Sequence, residues 1–332
     1  MKRPIVVKLG SSLVVQDELV RGRAQEIAEL VSGGTPVCIV SSGAIALGLR
    51  SMGVERRPRS LPRLQAASAL GQPLLQRRWE DALAQNGVRG AQVLLTGAEI
   101  GDRRAYVNAR NTLSELQSLG VVPIVNENDA TATDEISFGD NDALAAQVAV
   151  LVRAQLLVLL TSVEGVLDAD ATVIRDGAVA RSAVFGPGDP SGKGGMETKV
   201  AAAELATAAG VPAVIAFGGS PLPDVLAGGG TRFAAHASGE PAFKLWLRFG
   251  KRMTGRVYVD AGAERAVRRR GGSLLAVGVV RCEGPVRAGD GVELCAADGT
   301  PFGRGISSLD AAELSARTPN AEAVHRDRLI LY

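Results

Sequence analysis

Residues 5–40 read IVVKLGSSLVVQDELVRGRAQEIAELVSGGTPVCIV, and this stretch decides the fold. Ile5–Leu9 and Pro36–Val40 are short apolar runs without polar alternation, the pattern of strands covered on both faces of a parallel sheet. Glu18–Val31, between them, has the length of a helix. The same alternation continues outward to about residue 235. Ala91–Leu95, Val121–Val125, Leu156–Thr161 and Ala213–Phe217 read as further buried strands. Leu64–Leu83, Arg103–Leu119, Asp142–Arg153 and Thr198–Ala208 read as the helices between them. Gly120 and Gly210 stand where left-handed helix caps belong. The prediction is an α/β protein, a three-layer αβα sandwich around a mostly parallel sheet.

The texture changes near residue 240. Residues 241–254 read as a linker, with Trp246 and Phe249 suited to packing. From residue 255 to 332, β-type runs (Arg256–Val259, Leu274–Val280, Gly291–Cys295) alternate with Gly271-Gly272, Gly289-Asp290-Gly291 and Asp298-Gly299. That punctuation predicts a small β-rich domain with hairpins. The expected organisation is therefore a large domain at 1–240, the linker, and a small domain at 255–332.

Composition narrows the function classes. The chain has 332 residues, 46% hydrophobic and 22% charged, so it can bury a core without disulfides or a structural metal. Lys and Arg number 37 against 35 Asp and Glu, too even a balance for a protein that lives on a nucleic-acid backbone. Cys38, Cys282 and Cys295 form no CxxC pair and there are 2 histidines, which excludes a Cys/His zinc site. Buried reduced thiols, no membrane-length apolar run and an N-terminal apolar run broken at Lys8 lead to the expectation of a cytoplasmic protein with no membrane partner.

In a sheet of this kind, chemistry collects beyond the carboxyl ends of the strands. The first strand ends Lys8-Leu9-Gly10-Ser11-Ser12: a lysine costly to bury without an anion, beside a glycine that lets backbone N–H groups approach a phosphate. The second ends Ser41-Ser42-Gly43 and runs into a helix. After Val121–Val125 come two acidic and amide blocks, Asn126-Glu127-Asn128-Asp129 and Gly139-Asp140-Asn141-Asp142, too many for an ordinary turn. Their spacing does not match an EF-hand. Asp142 is expected to open the next helix, whose N-terminal dipole favours its charge. Thr161-Ser162 ends another strand. Finally, Gly186–Lys199 is a glycine-rich loop with two lysines, Lys193 and Lys199, feeding a helix. It fails the P-loop pattern, and GxGxxG is missing from the first strand–helix turn, yet it suits a polyphosphate.

Taken in order, VVKLGSS, SSGAIALG, VNENDATAT with GDNDALAA, LLTS and GGMETK resemble the amino acid kinase family, in its glutamate-phosphorylating branch. The tail, with Gly271-Gly272-Ser273-Leu274-Leu275 and Ala323-Val324-His325-Arg326-Asp327, resembles a PUA domain. The resemblance implies the amino acid kinase fold and transfer of the ATP γ-phosphoryl group to the γ-carboxylate of L-glutamate, the first step towards proline. It implies Lys8, Asp142 and Lys199 as catalytic residues and Ser42, Asp129 and Asn141 as the grip on glutamate. The ATP site would comprise Lys8, Thr161, Ser162, Lys193, Gly194, Gly195, Met196, Glu197, Thr198 and Lys199. Mg²⁺ is expected to bridge ATP phosphates, with no residue assigned as a metal ligand. A homo-oligomer, dimer or tetramer, and feedback inhibition by proline are further implications.

Two positions depart from the family pattern. Ser162 stands where Asp is common, and Lys193 where a small hydroxyl residue is frequent. The Asp168–Gly192 loop is also short for the family. The sister kinases acting on N-acetylglutamate ordinarily lack both the tail and the doubled acidic block. PUA domains elsewhere bind RNA; here Arg268-Arg269-Arg270 is the one supporting cluster, and residues 251–332 hold 13 basic against 10 acidic side chains, so RNA ranks only as a side partner.

Overall fold

The computed structural model describes residues 2–101, 103–131, 140–180, 195–236, 244, 247–248 and 253–332. The chain divides into two compact units, Met1–Glu240 and Pro241–Tyr332.

In the larger unit, seven strands form one sheet in the order β3-β4-β2-β1-β5-β6-β7. These are β1 (Ile5–Leu9), β2 (Val37–Ser41), β3 (Arg89–Leu95), β4 (Val121–Glu127), β5 (Leu156–Thr161), β6 (Ala213–Phe217) and β7 (Thr231–Phe233). All neighbours pair in parallel except β6 and β7. The short edge strand β7 went unread in the sequence because three residues carry too little pattern to separate from a turn. The other six strands stand where the apolar runs predicted them.

Strand β1 lies at the centre, with Lys8 level with Val40 of β2 and Leu159 of β5. Its side chains alternate between faces. Ile5, Val7 and Leu9 join one core with Val20, Ala24 and Ile27 of α2 (Asp17–Ser32) and Leu75 and Trp79 of α4 (Leu61–Ala84). Lys8 therefore points to the other face, where α7 (Asp140–Leu151) packs on β1, β4 and β5 and against α9 (Met196–Ala208). Helices on both faces of the sheet make the three-layer αβα sandwich. Gly120 and Gly210 have φ of +66° and +85°, the left-handed caps expected of them.

Several helix boundaries moved by one to three residues, among them the start of α9 at Met196 rather than Thr198. Helix α7 begins at Asp140, so Asp142 is its third residue rather than its opening one. Helix α4 begins three residues before Leu64, at Leu61, because Pro62 is well placed in a first turn where its missing N–H costs nothing. An additional helix, α3 (Ala44–Ser51), follows directly on β2. It packs against α4 at van der Waals range through two glycines. A Cβ on Gly48 would sit 1.8 Å from the Ala67 carbonyl oxygen, and one on Gly71 would sit 1.8 Å from the Ala44 carbonyl oxygen.

The smaller unit is a six-stranded sheet of order β10-β8-β11-β12-β13-β9, built from β8 (Met253–Val259), β9 (Leu274–Leu275), β10 (Val279–Glu283), β11 (Gly291–Cys295), β12 (Pro301–Ser307) and β13 (Glu322–Leu331). Its core gathers Val257, Val259, Val292, Leu294, Phe302 and Val324. Leu247 is fully buried against Ile306 and Ile330 of this sheet. The cluster Arg268-Arg269-Arg270 ends the helix Ala261–Arg270, where Arg268 pairs with Glu264 at 2.9 Å and lies 4.9 Å over the Phe302 ring. Cys38 and Cys295 are buried and Cys282 is half-buried, all as free thiols.

Candidate active site

Lys8 sits in a central strand away from bulk water: only 4% of its surface is exposed. An ammonium so placed needs a counter-charge. Asp142 supplies it, with Oδ1 2.5 Å from Lys8 Nζ. The same carboxylate is 0% exposed and holds a second buried cation, Lys199 Nζ, 3.3 Å from Oδ2. The Thr198 hydroxyl donates to Oδ2 at 2.9 Å. Three elements thus converge on one carboxylate: β1 brings Lys8, the first turn of α7 brings Asp142, and the first turn of α9 brings Thr198 and Lys199. Gly195 caps α9, and Gly10 lies beside the Lys8 ammonium, where a Cβ would be in ordinary contact with Nζ at 3.8 Å.

The electrostatics follow from burial and proximity. Burial lowers the Lys8 pKa below its usual value, aided by the charge of Lys199, and the opposing pull of Asp142 does not restore it. Burial alone would raise Asp142. The charges of Lys8 and Lys199, with hydrogen bonds from Lys8 and Thr198, outweigh it and hold the carboxyl below the ordinary range. Asp142 is therefore ionised at neutral pH, facing two ammonium groups. One carboxylate between two lysines leaves a net positive site suited to an anion.

A second cluster lies on the neighbouring strand ends. Asn141, next to Asp142, donates from Nδ2 to Ser42 Oγ at 2.8 Å and to Asn126 Oδ1 at 3.2 Å. Asn126, at the end of β4, donates to Gln72 Oε1 of α4 at 2.7 Å. Four residues earlier on α4, the Ser68 hydroxyl donates to Asp129 Oδ2 at 3.0 Å. Burial raises the Asp129 pKa, against the hydrogen bond from Ser68 and the charge of Arg57. Trp79, also on α4, donates to Ser41 Oγ at 3.0 Å.

The sequence-predicted residues thus fall into two groups. Lys8, Asp142, Thr198 and Lys199 meet in the ion cluster; Ser42 and Asn141 meet in the amide cluster, with Asp129 held by the same helix that reaches it. Thr161 is half-buried and Ser162 exposed at the carboxyl end of β5, beside β1. Gly195, Met196 and Glu197 lead into Lys199 at the start of α9. Lys193 and Gly194 lie outside the described residues, as do residues 132–139 between the two acidic blocks. Among the described residues no group of three or more His, Cys, Asp or Glu could hold a metal ion, and no helix is long and apolar enough to cross a membrane. Ser68 and Gln72 were not singled out in the sequence. Their signal was there: two polar residues at i and i+4, Ser68 3% and Gln72 8% exposed, on the buried face of a helix.

A largely parallel αβα sheet here brings two buried lysines onto one aspartate at its strand ends, a net positive, water-excluded site suited to an anion. The amino acid kinase family model matches residues 3–216 and the PUA domain model residues 255–326. The chain belongs to the amino acid kinase family. Within that family it is 41% identical over 363 aligned positions to a glutamate 5-kinase of Variovorax paradoxus (strain S110), covering 99% of this chain and 96% of that one. It is likewise 41% identical to a glutamate 5-kinase of Streptomyces avermitilis, with 99% and 96% covered. A glutamate 5-kinase of Rippkaea orientalis is 40% identical, with 95% and 91% covered. Among solved structures, Giardia carbamate kinase superposes with a TM-score of 0.53 at 19% identity, covering 71% of this chain and 99% of that one, a likeness of fold.

Proposed function

We propose that this protein transfers the γ-phosphoryl group of ATP to the γ-carboxylate of L-glutamate, as the first step towards proline. The observation that carries the reading is the convergence of Lys8 and Lys199 on Asp142 in a water-excluded site. Phosphoryl transfer asks the protein for positioning and for positive charge around the transferring group rather than for covalent chemistry. Lys8 and Lys199 supply that charge, and Asp142 holds them apart and aimed. No general base is required, because the attacking carboxylate is already ionised at neutral pH.

Ser42, Asp129 and Asn141 hold the amino acid, Asp129 suiting its ammonium group. Thr161, Ser162 and the segment Lys193–Lys199 hold the nucleotide. Asp142 is committed to two lysines, so Mg²⁺ is expected to ride on the phosphates of ATP and screen their charge there. Homo-oligomerisation, inhibition by proline and a cytoplasmic location complete the proposal, supported by the relatives' shared family and by three free cysteines.

The test is ATP consumption by the purified full chain with Mg²⁺ and L-glutamate, the acyl phosphate being trapped with hydroxylamine. N-acetylglutamate, aspartate and no acceptor run alongside. Glutamate-dependent hydroxamate is the expected result. Hydroxamate with N-acetylglutamate alone would move the protein to the sister kinases.

A further inference from the structure

Helix α4 touches the amino-acid side of the site at three places, through Ser68, Gln72 and Trp79. The helix cannot shift to accommodate a missing contact. Gly48 and Gly71 bring α3 and α4 so close that the Ala67 and Ala44 carbonyls occupy the space of a side chain, and α3 starts directly after Ser42-Gly43. Whatever α4 presents is presented at a defined position relative to Ser42.

Of the three contacts, the one from Ser68 ends on a carboxylate. The Ser68 side chain is 3% exposed and its hydroxyl lies 3.0 Å from Asp129 Oδ2. A hydrogen bond to an ionised acceptor does two things. It fixes the plane of the carboxylate, and it favours the charged form over the neutral one. Asp129 needs both if it is to hold an ammonium, because it sits on the turn after β4 rather than inside an element, and because burial works against its charge. With Oδ2 tied to α4, the direction of Oδ1 is set as well.

We infer that Ser68 is a positioning residue for amino-acid recognition: fixed in place by the α3–α4 glycine contact, it orients Asp129 to receive the substrate's α-ammonium group. Gln72, one turn on, does the equivalent for the amides, accepting from Asn126, which in turn accepts from Asn141. Amino-acid specificity is thus set from a helix that carries none of the sequence motifs. This inference rests on the glutamate-kinase reading above.

The experiment is steady-state kinetics of the full chain with glutamate and ATP varied separately, in wild type, Ser68→Ala, Ser68→Thr and Gln76→Ala. Losing one hydrogen bond to a charged group should raise the KM for glutamate about tenfold in Ser68→Ala, with kcat and the KM for ATP within about twofold of wild type. Ser68→Thr keeps the hydroxyl and should restore the glutamate KM. Gln76 lies on the same buried face but bonds Glu80 of its own helix, so Gln76→Ala should leave all three parameters in place. A glutamate KM unchanged in Ser68→Ala, a parallel change in kcat and ATP KM, or Ser68→Thr as impaired as Ser68→Ala would overturn the inference. Absence of glutamate-dependent turnover in the wild type would instead overturn the proposed function, so the two failures are told apart.

Discussion

Lys8 Nζ lies 2.5 Å from Asp142 Oδ1, with Lys8 4% and Asp142 0% exposed, although 134 positions of sequence separate them. The pair is completed by Lys199 on the second carboxylate oxygen, 57 residues further on. Removing Asp142 leaves two ammonium groups that water cannot reach, whereas removing either lysine leaves the other paired with Asp142, so the members have large and different expected effects.

Lys199→Ala and Lys8→Ala should each lower kcat by about 10²–10³, the cost of losing one group aimed at developing negative charge. Single-turnover phosphoryl transfer to glutamate would read the effect on chemistry directly. A loss confined to the KM for ATP would assign the lysine to binding alone.

Asp142→Asn removes the carboxylate that the two lysines share and leaves both ammonium groups buried without it. Removing one partner of a buried pair costs about 3–5 kcal/mol, measurable as a lower urea midpoint at neutral pH. The pH dependence has a definite sign. Asp142 titrates below its ordinary value of 3.8 in the folded protein, so its stabilisation is present above that value and is lost as the pH falls through the folded pKa. The amide introduced by Asp142→Asn has no such proton to take up, and the variant's stability should fall less steeply on acidification than that of the wild type.

The alkaline side reports Lys8. Burial holds its pKa below 10.5, so the positive charge needed for the transferring phosphoryl group is lost at a lower pH than for an ordinary lysine. The kcat profile should therefore show an alkaline limb that sets in below pH 10.5. A kcat that stays flat to that pH would contradict the placement of a desolvated Lys8 at the reacting group.

Gly71→Ala places a methyl carbon 1.8 Å from the Ala44 carbonyl oxygen. Backbone cannot yield as a side-chain tip does, so α3 and α4 must separate, at a cost of about 3 kcal/mol. Because Ser42 precedes α3 and Ser68 lies on α4, the glutamate KM should rise as well. Equilibrium unfolding and steady-state kinetics on the same variant check both halves of the expectation.

Six strands and the long helices of the larger unit were legible because apolar runs without alternation, separated by helical lengths, leave few arrangements other than a parallel sheet covered on both sides. Lys8 was legible for the same reason: a lysine in such a strand demands an anion. The doubled acidic block stood out by its density, and within it the resemblance to the amino acid kinase family singled out Asn141 and Asp142. The pattern did not express β7, too short to carry periodicity, nor the helix α3, the strands β12 and β13, or the starts of α4, α7 and α9.

The residues of this chain by themselves determined an apolar strand with a lysine in it, a glycine-rich sequence before Lys199 and polar strand ends, since burial and backbone freedom are written locally. Only the tertiary structure decided that Lys8 and Lys199 share the Asp142 carboxylate, and that Ser68 of an unremarked helix reaches Asp129 61 residues away. Hydrogen bonds and ion pairs depend on distances of about 3 Å. Such distances are set by how helices pack across a sheet, here by two glycines that let α3 and α4 touch, and no local pattern of residues encodes them.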